Sequence, residues 1–124
     1  MPGNTMLVVD DYSANLTLFK TLFTMRGYQV QTARDAEQAL DALKTFRPRV
    51  VLTDMELPDL SGLELTRRIK ADPAQRDVTV LGITAHPYEW LSGEALDAGC
   101  DGYIAKPVSC DALLDFVAKH LPGA

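Results

Sequence analysis

Short strand-like runs and helix-periodic stretches alternate along this chain from end to end, and four of the five runs stop at polar residues with distinctive chemistry. Met6-Leu7-Val8-Val9 stops at Asp10 and Asp11, Val50-Val51-Leu52 leads through Thr53 to Asp54, Val78 to Ile83 stops at Thr84, and Tyr103-Ile104-Ala105 stops at Lys106. Alternation of this kind implies a parallel sheet with helices on both faces and right-handed crossovers. In open sheets of that type, ligands bind outside the carboxyl ends of the strands. The five polar residues Asp10, Asp11, Asp54, Thr84 and Lys106 are therefore expected on one edge.

The helices between the runs are read from spacing. Leu16, Phe19, Leu22 and Phe23 make one stripe after Ser13, a candidate N-cap. Gly27 stands where a C′ glycine ends a helix. Gln29 to Ala33 is a poorer, more polar strand, which suits a sheet edge. Asp35 can cap a second helix with Ala36, Ala39, Leu40 and Leu43 inward. The Val50-Val51-Leu52 run has no polar residue, as for a strand buried on both faces. The stretch Asp54 to Gly62 is long for a βα turn, and long loops in compact domains are often functional. A third helix is expected from Gly62 to Ala71, closed by Asp72-Pro73. A fourth is expected from about Tyr88 to Ala98, ended by Gly99. Ser109 is expected to cap a fifth, with Leu113, Leu114, Val117 and Leu121 inward.

At 124 residues the chain is sized for one domain with one core. A net charge of −5 disfavours nucleic acid and anionic membrane surfaces as partners. There is no signal peptide and no apolar run long enough to span a bilayer. Cys100 and Cys110 lack metal-type spacing, so the chain reads as cytoplasmic with free thiols, both expected as small buried fillers. His86 and His120 have no His or Cys partner at metal spacing.

Taken one at a time, each polar residue at a strand end is a turn, cap or surface residue. Together they specify a chemistry. Three carboxylates about 4 Å apart repel by on the order of 4 kcal/mol per pair at an effective dielectric near 20. A hard divalent cation offsets this, and Mg²⁺ typically takes one or two carboxylates, waters and a phosphate oxygen. A hydroxyl and an ammonium beside it suit a phosphoryl group.

The pieces Val8-Val9-Asp10-Asp11, Leu52-Thr53-Asp54-Met55-Glu56-Leu57-Pro58, Ser61-Gly62, Thr84-Ala85 and Lys106-Pro107, in this order, resemble the receiver domain of bacterial two-component response regulators. The resemblance covers essentially the whole chain, 1–124, with no output domain. Ser61-Gly62-Leu63-Glu64-Leu65-Thr66 and Lys106-Pro107-Val108-Ser109 look like single-domain regulators of cell-cycle kinases, and the type extends to stand-alone chemotaxis regulators. The resemblance implies a flavodoxin-like, doubly wound (βα)5 fold with strand order 2-1-3-4-5. It implies that Asp54 accepts a phosphoryl group from a histidine kinase or a histidine phosphotransfer protein. It places Asp10, Asp11, Asp54 and the backbone carbonyl of Glu56 on Mg²⁺, with Mn²⁺ as a substitute and Asp10 acting through water. Lys106 and Thr84 would hold the phosphoryl oxygens, and Tyr103 would be the switch aromatic. Glu56 and His86, two residues after Asp54 and Thr84, would tune the phosphoryl lifetime. The Lys106-Pro107 peptide is expected to be cis.

The implied role is a signalling switch that catalyses only its own phosphorylation and dephosphorylation. Output would go to a downstream protein, or to a phosphorylation-dependent homodimer, through the fourth helix, fifth strand and fifth helix, with Trp90 as a candidate contact. Three rivals carry different signals. The chain could be the receiver portion of a hybrid histidine kinase. An aspartyl-phosphate phosphatase usually has Asp-x-Asp, whereas Glu56 stands here. A flavin binder needs amides and hydroxyls after the first strand, where this chain has Asp10 and Asp11.

Overall fold

The computed structural model describes residues 4–86 and 93–121. Its strands are β1 (Thr5–Val9), β2 (Gln29–Ala33), β3 (Val50–Asp54), β4 (Thr79–Thr84) and β5 (Gly102–Ala105). Its helices are α1 (Ser13–Met25), α2 (Ala36–Ala42), α3 (Gly62–Ala71), α4 (Glu94–Ala98) and α5 (Cys110–Lys119). The strands form one parallel sheet in the order β2-β1-β3-β4-β5, as expected.

Side-chain alternation splits the core in two. Met6, Val8, Val50, Leu52, Leu81 and Ile83 face α1 and α5, where Phe19, Phe23, Leu113 and Val117 meet them. Leu7, Val9, Val51 and Val80 point the other way, toward Leu65 and Ile69 of α3 and Ala95 and Ala98 of α4. Successive strand residues point to opposite faces, so a strand covered on both sides reads as an apolar run, here Val50-Val51-Leu52, before it reaches the sheet edge. All five residues of β3 are buried, and it lies at the centre. By contrast β2 is an edge strand with only Ala33 buried, which explains its Gln and Thr content.

Local signals set most helix ends. The carboxylate of Asp35 accepts from the Gln38 amide, Ser61 Oγ from the Glu64 amide and Ser109 Oγ from the Ala112 amide. Gly27 and Gly99 have φ of 90° and 98°, a region that glycine enters at little cost. Ser13 is a correction: it is the first residue of α1, and the N-cap is Tyr12, with no side-chain cap. The turn is held instead by Asp10, whose carboxylate accepts from the Tyr12 amide at 2.9 Å and the Asn15 side chain at 3.1 Å. The thiols are a second correction. Cys100 is buried, and desolvation pushes its thiol up to about 12, but Cys110 is exposed at the start of α5. Trp90 and the expected first turn of the fourth helix lie outside the described residues. Among the described residues, no helix is long and apolar enough to cross a membrane.

Candidate functional site

Strand register brings the polar residues together. Val9 pairs with Ala33 and Thr53, Asp54 with Ile83, and Thr84 with Ala105, so β1, β3, β4 and β5 all end at one level. Carboxylate oxygens of Asp10, Asp11 and Asp54 lie within 4.8 Å of one another. Asp10 and Asp54 are buried, and Asp11 is exposed. The cluster therefore has two desolvated carboxylates and one side open to water. An all-oxygen, anionic donor set of this kind fits a hard cation such as Mg²⁺.

Asp54 is held at both oxygens. Oδ1 accepts from the Glu56 amide at 2.9 Å, and Oδ2 lies 3.2 Å from Lys106 Nζ. Burial still pushes the Asp54 carboxyl above its ordinary range, helped by the nearby Asp10 charge. The Glu56 amide and Lys106 oppose this without overcoming it. For Lys106, burial alone would lower the ammonium, but Asp54, Glu56 and Asp10 outweigh it and hold the group above its ordinary value. The Lys106-Pro107 peptide is cis.

Glu56 sits at the rim, with its side chain 35% exposed. Its Oε2 accepts from Thr84 Oγ1 at 3.2 Å, and its Oε1 accepts from the Ala85 amide at 3.1 Å. Oε1 also lies 3.8 Å from Lys106 Nζ. Thr84 Oγ1 in turn accepts from the amide of exposed His86 at 2.9 Å. Tyr103 lies on β5 with 38% of its surface exposed, so it is not simple core.

The Ala85 amide, Asn15 and Asp59 belong to this region and were missed by sequence reasoning. Ala85 contributes only its backbone, and Asn15 looks like an ordinary helix residue. Asp59 follows Pro58 and looks like a turn residue. Its carboxylate instead reaches α2, accepting from the amides of Ala36 and Glu37 at 3.0 Å each and from the Leu60 amide at 2.9 Å. It thereby pins the loop after Asp54 to a neighbouring helix. Desolvation alone would push the Asp59 carboxyl up; the three amides outweigh it and hold it below the ordinary range. A carboxylate at the start of a helix is stabilising there. Asp59→Ala should cost about 1 kcal/mol, the usual scale for a lost amide-capping side chain. A depressed acid stabilises only while ionised, so the contribution is full above the ordinary Asp range near pH ~4 and is lost as pH falls below it. Urea unfolding of both chains at pH 7 and pH 3 checks this; a gap undiminished at pH 3 would refute it.

Residues 6–118 match the family model described as the response regulator receiver domain. The chain is 33% identical, over 124 residues and 100% of both chains, to the polar-differentiation response regulator DivK of Brucella anthropi. A CheY-like response regulator receiver domain protein from Methanospirillum hungatei superposes with a TM-score of 0.87 at 30% identity, covering 95% of this chain and 93% of that one. The receiver domain of a sensor histidine kinase from Pseudomonas aeruginosa, described with a magnesium ion coordinated in its active-site cleft, superposes with a TM-score of 0.83 at 30% identity. That match covers 98% of this chain and 99% of the other.

Proposed function

The chain belongs to the response regulator receiver domain family, and we propose that it takes a phosphoryl group onto Asp54 and converts it into altered protein contacts. The observation that carries this reading is the pairing of an acidic cluster, two of its three carboxylates buried, with Lys106 and Thr84 at one sheet edge. A carboxylate oxygen of Asp54 attacks the phosphorus of a phosphohistidine on a histidine kinase or phosphotransfer protein. The phosphorus–nitrogen bond breaks and its electron pair returns to the ring nitrogen; with a proton already held on the other ring nitrogen, the imidazole leaves as the neutral ring. A carboxylate is a competent covalent nucleophile of this kind. Little else is asked of the protein than positioning and charge stabilisation.

Asp10, Asp11, Asp54 and the Glu56 carbonyl would hold Mg²⁺, which when bound neutralises the acidic cluster and the incoming phosphoryl oxygens. Lys106 supplies a fixed cation to those oxygens, and Thr84 a hydroxyl donor. Glu56 and His86 border the path of the water that later removes the group, and so set its lifetime. When Thr84 moves to the phosphoryl group, Tyr103 turns toward the space it leaves. The face of α4, β5 and α5 then presents a changed surface to a downstream protein or a second copy. A local contact that biases a two-state element is sufficient for such a switch.

The test is direct. Incubation with acetyl phosphate and Mg²⁺ should give one adduct, mapped to Asp54, and none after EDTA treatment. An adduct on another residue, or labelling undiminished by EDTA, would refute the proposal.

A further inference from the structure

One carboxylate at the mouth of the pocket already engages three of the donors there. Glu56 bridges the Thr84 hydroxyl at 3.2 Å, the Ala85 amide at 3.1 Å and the Lys106 ammonium at 3.8 Å. These donors come from β4, the turn after it and the end of β5, so they converge only in the fold. A hydroxyl, an amide and an ammonium aimed at one point form a site for a multi-oxygen anion. We propose that the Glu56 carboxylate is an internal placeholder for the phosphoryl group, which must displace it to reach Thr84, Ala85 and Lys106. This rests on the reading of Asp54 as the acceptor.

Three further observations support the role. Glu56 is tied to the acceptor itself, since its amide donates to Asp54 Oδ1 at 2.9 Å. The carboxylate therefore starts within reach of any group on Asp54. Its side chain is 35% exposed, so on release it can swing into water without being buried elsewhere. Lys106 is shared between Asp54 and Glu56, so a phosphoryl group on Asp54 would compete for the same ammonium. The consequence is a threshold: an incoming anion exchanges one set of charge-assisted hydrogen bonds for another and gains only the difference. The same contacts keep the three donors aimed at the pocket before phosphorylation.

Net charge and contact geometry are separated by two variants. Glu56→Gln removes the charge. Glu56→Asp keeps the charge but shortens the side chain by one methylene, too short to hold all three donors. The probe is beryllofluoride at saturating Mg²⁺, titrated by amide chemical shifts on the full chain. Both variants should bind it about fivefold to tenfold more tightly than the starting protein, on the scale of one ordinary intramolecular hydrogen bond. Without probe or metal, the Ala85 amide should exchange its hydrogen faster in Glu56→Asp, since its acceptor has withdrawn. Equal affinity in Glu56→Asp and the starting protein would overturn the placeholder and leave only a long-range charge effect. Weaker binding in both variants would overturn it too. Beryllofluoride binding that survives Asp54→Asn overturns the acceptor reading instead, whatever the order of the Glu56 variants.

Discussion

Asp54→Asn should accept no phosphoryl group and, in EDTA at pH 7, should unfold at a higher temperature than the starting protein. The loss follows from removing the nucleophilic oxygen charge. The stabilisation follows from electrostatics. Asp54 is 5% exposed and shares its pocket with Asp10 and Asp11. Burial and the Asp10 charge raise its carboxyl, so the folded state binds that proton more tightly than the unfolded chain. A raised acid lowers stability as pH climbs from the ordinary carboxylate range through the raised value. At pH 7, above the ordinary carboxylate range, the folded state carries that cost, and asparagine removes it while its side-chain oxygen still accepts the Glu56 amide. The gain is expected at about 1–2 kcal/mol, or roughly 5 °C for a chain of this size. It should shrink below pH ~4, where both states protonate the aspartate. It should also shrink in saturating Mg²⁺, where the cation offsets the repulsion. Calorimetry of both chains across pH, with EDTA or Mg²⁺, measures all three. An Asp54→Asn chain less stable than the parent in EDTA at neutral pH would contradict the electrostatic account.

Gly62→Ala should be the most damaging single methyl group near the site. A Cβ there would lie 2.6 Å from Met55 Cα, 2.6 Å from Met55 Sδ and 3.0 Å from the Asp54 carbonyl oxygen. The sulfur can move, but the two backbone atoms belong to β3 and the turn after it. Gly62 is also tied there by its amide, which donates to the Met55 carbonyl at 2.9 Å. Overpacking a core typically costs 1–3 kcal/mol. With backbone on the far side of the clash, roughly 3 kcal/mol is expected. The turn that holds Glu56 against Asp54 should shift with it. Denaturant unfolding should show the loss, and acetyl phosphate labelling of the folded fraction should fall severalfold. Near-normal stability and labelling would mean that α3 can slide away from the loop at little cost.

Much of this site was legible from periodicity and from what halts each strand. The Val50-Val51-Leu52 run of the central β3 is apolar because both its faces are covered, and β2 is polar because it lies at the edge. Those patterns, with the caps at Asp35 and Ser109, follow from local geometry and the period of a strand or helix. The convergence of Asp10, Asp11, Asp54, Thr84 and Lys106 follows because parallel strands all end on the same edge. Ser13 was misread because a serine before a helical stripe is a good local cap, yet Asp10 holds the first turn through Tyr12 and Asn15. Cys110 was misread because composition says nothing about which side of α5 a residue faces.

Three features were decided by tertiary structure alone. Asp59 reaches Ala36 and Glu37 across more than twenty residues of chain, and no local pattern signals such a bond. Gly62 is required by the close approach of α3 to the Met55 backbone, a distance set by packing rather than by turn chemistry. Glu56 could be placed beside Asp54 from the sequence. Its grip on Thr84, Ala85 and Lys106 could not, because those donors arrive from two other strands. Residue types at strand ends determine which chemistry is available. The distances between those ends, set by sheet register and helix packing, decide which groups engage one another.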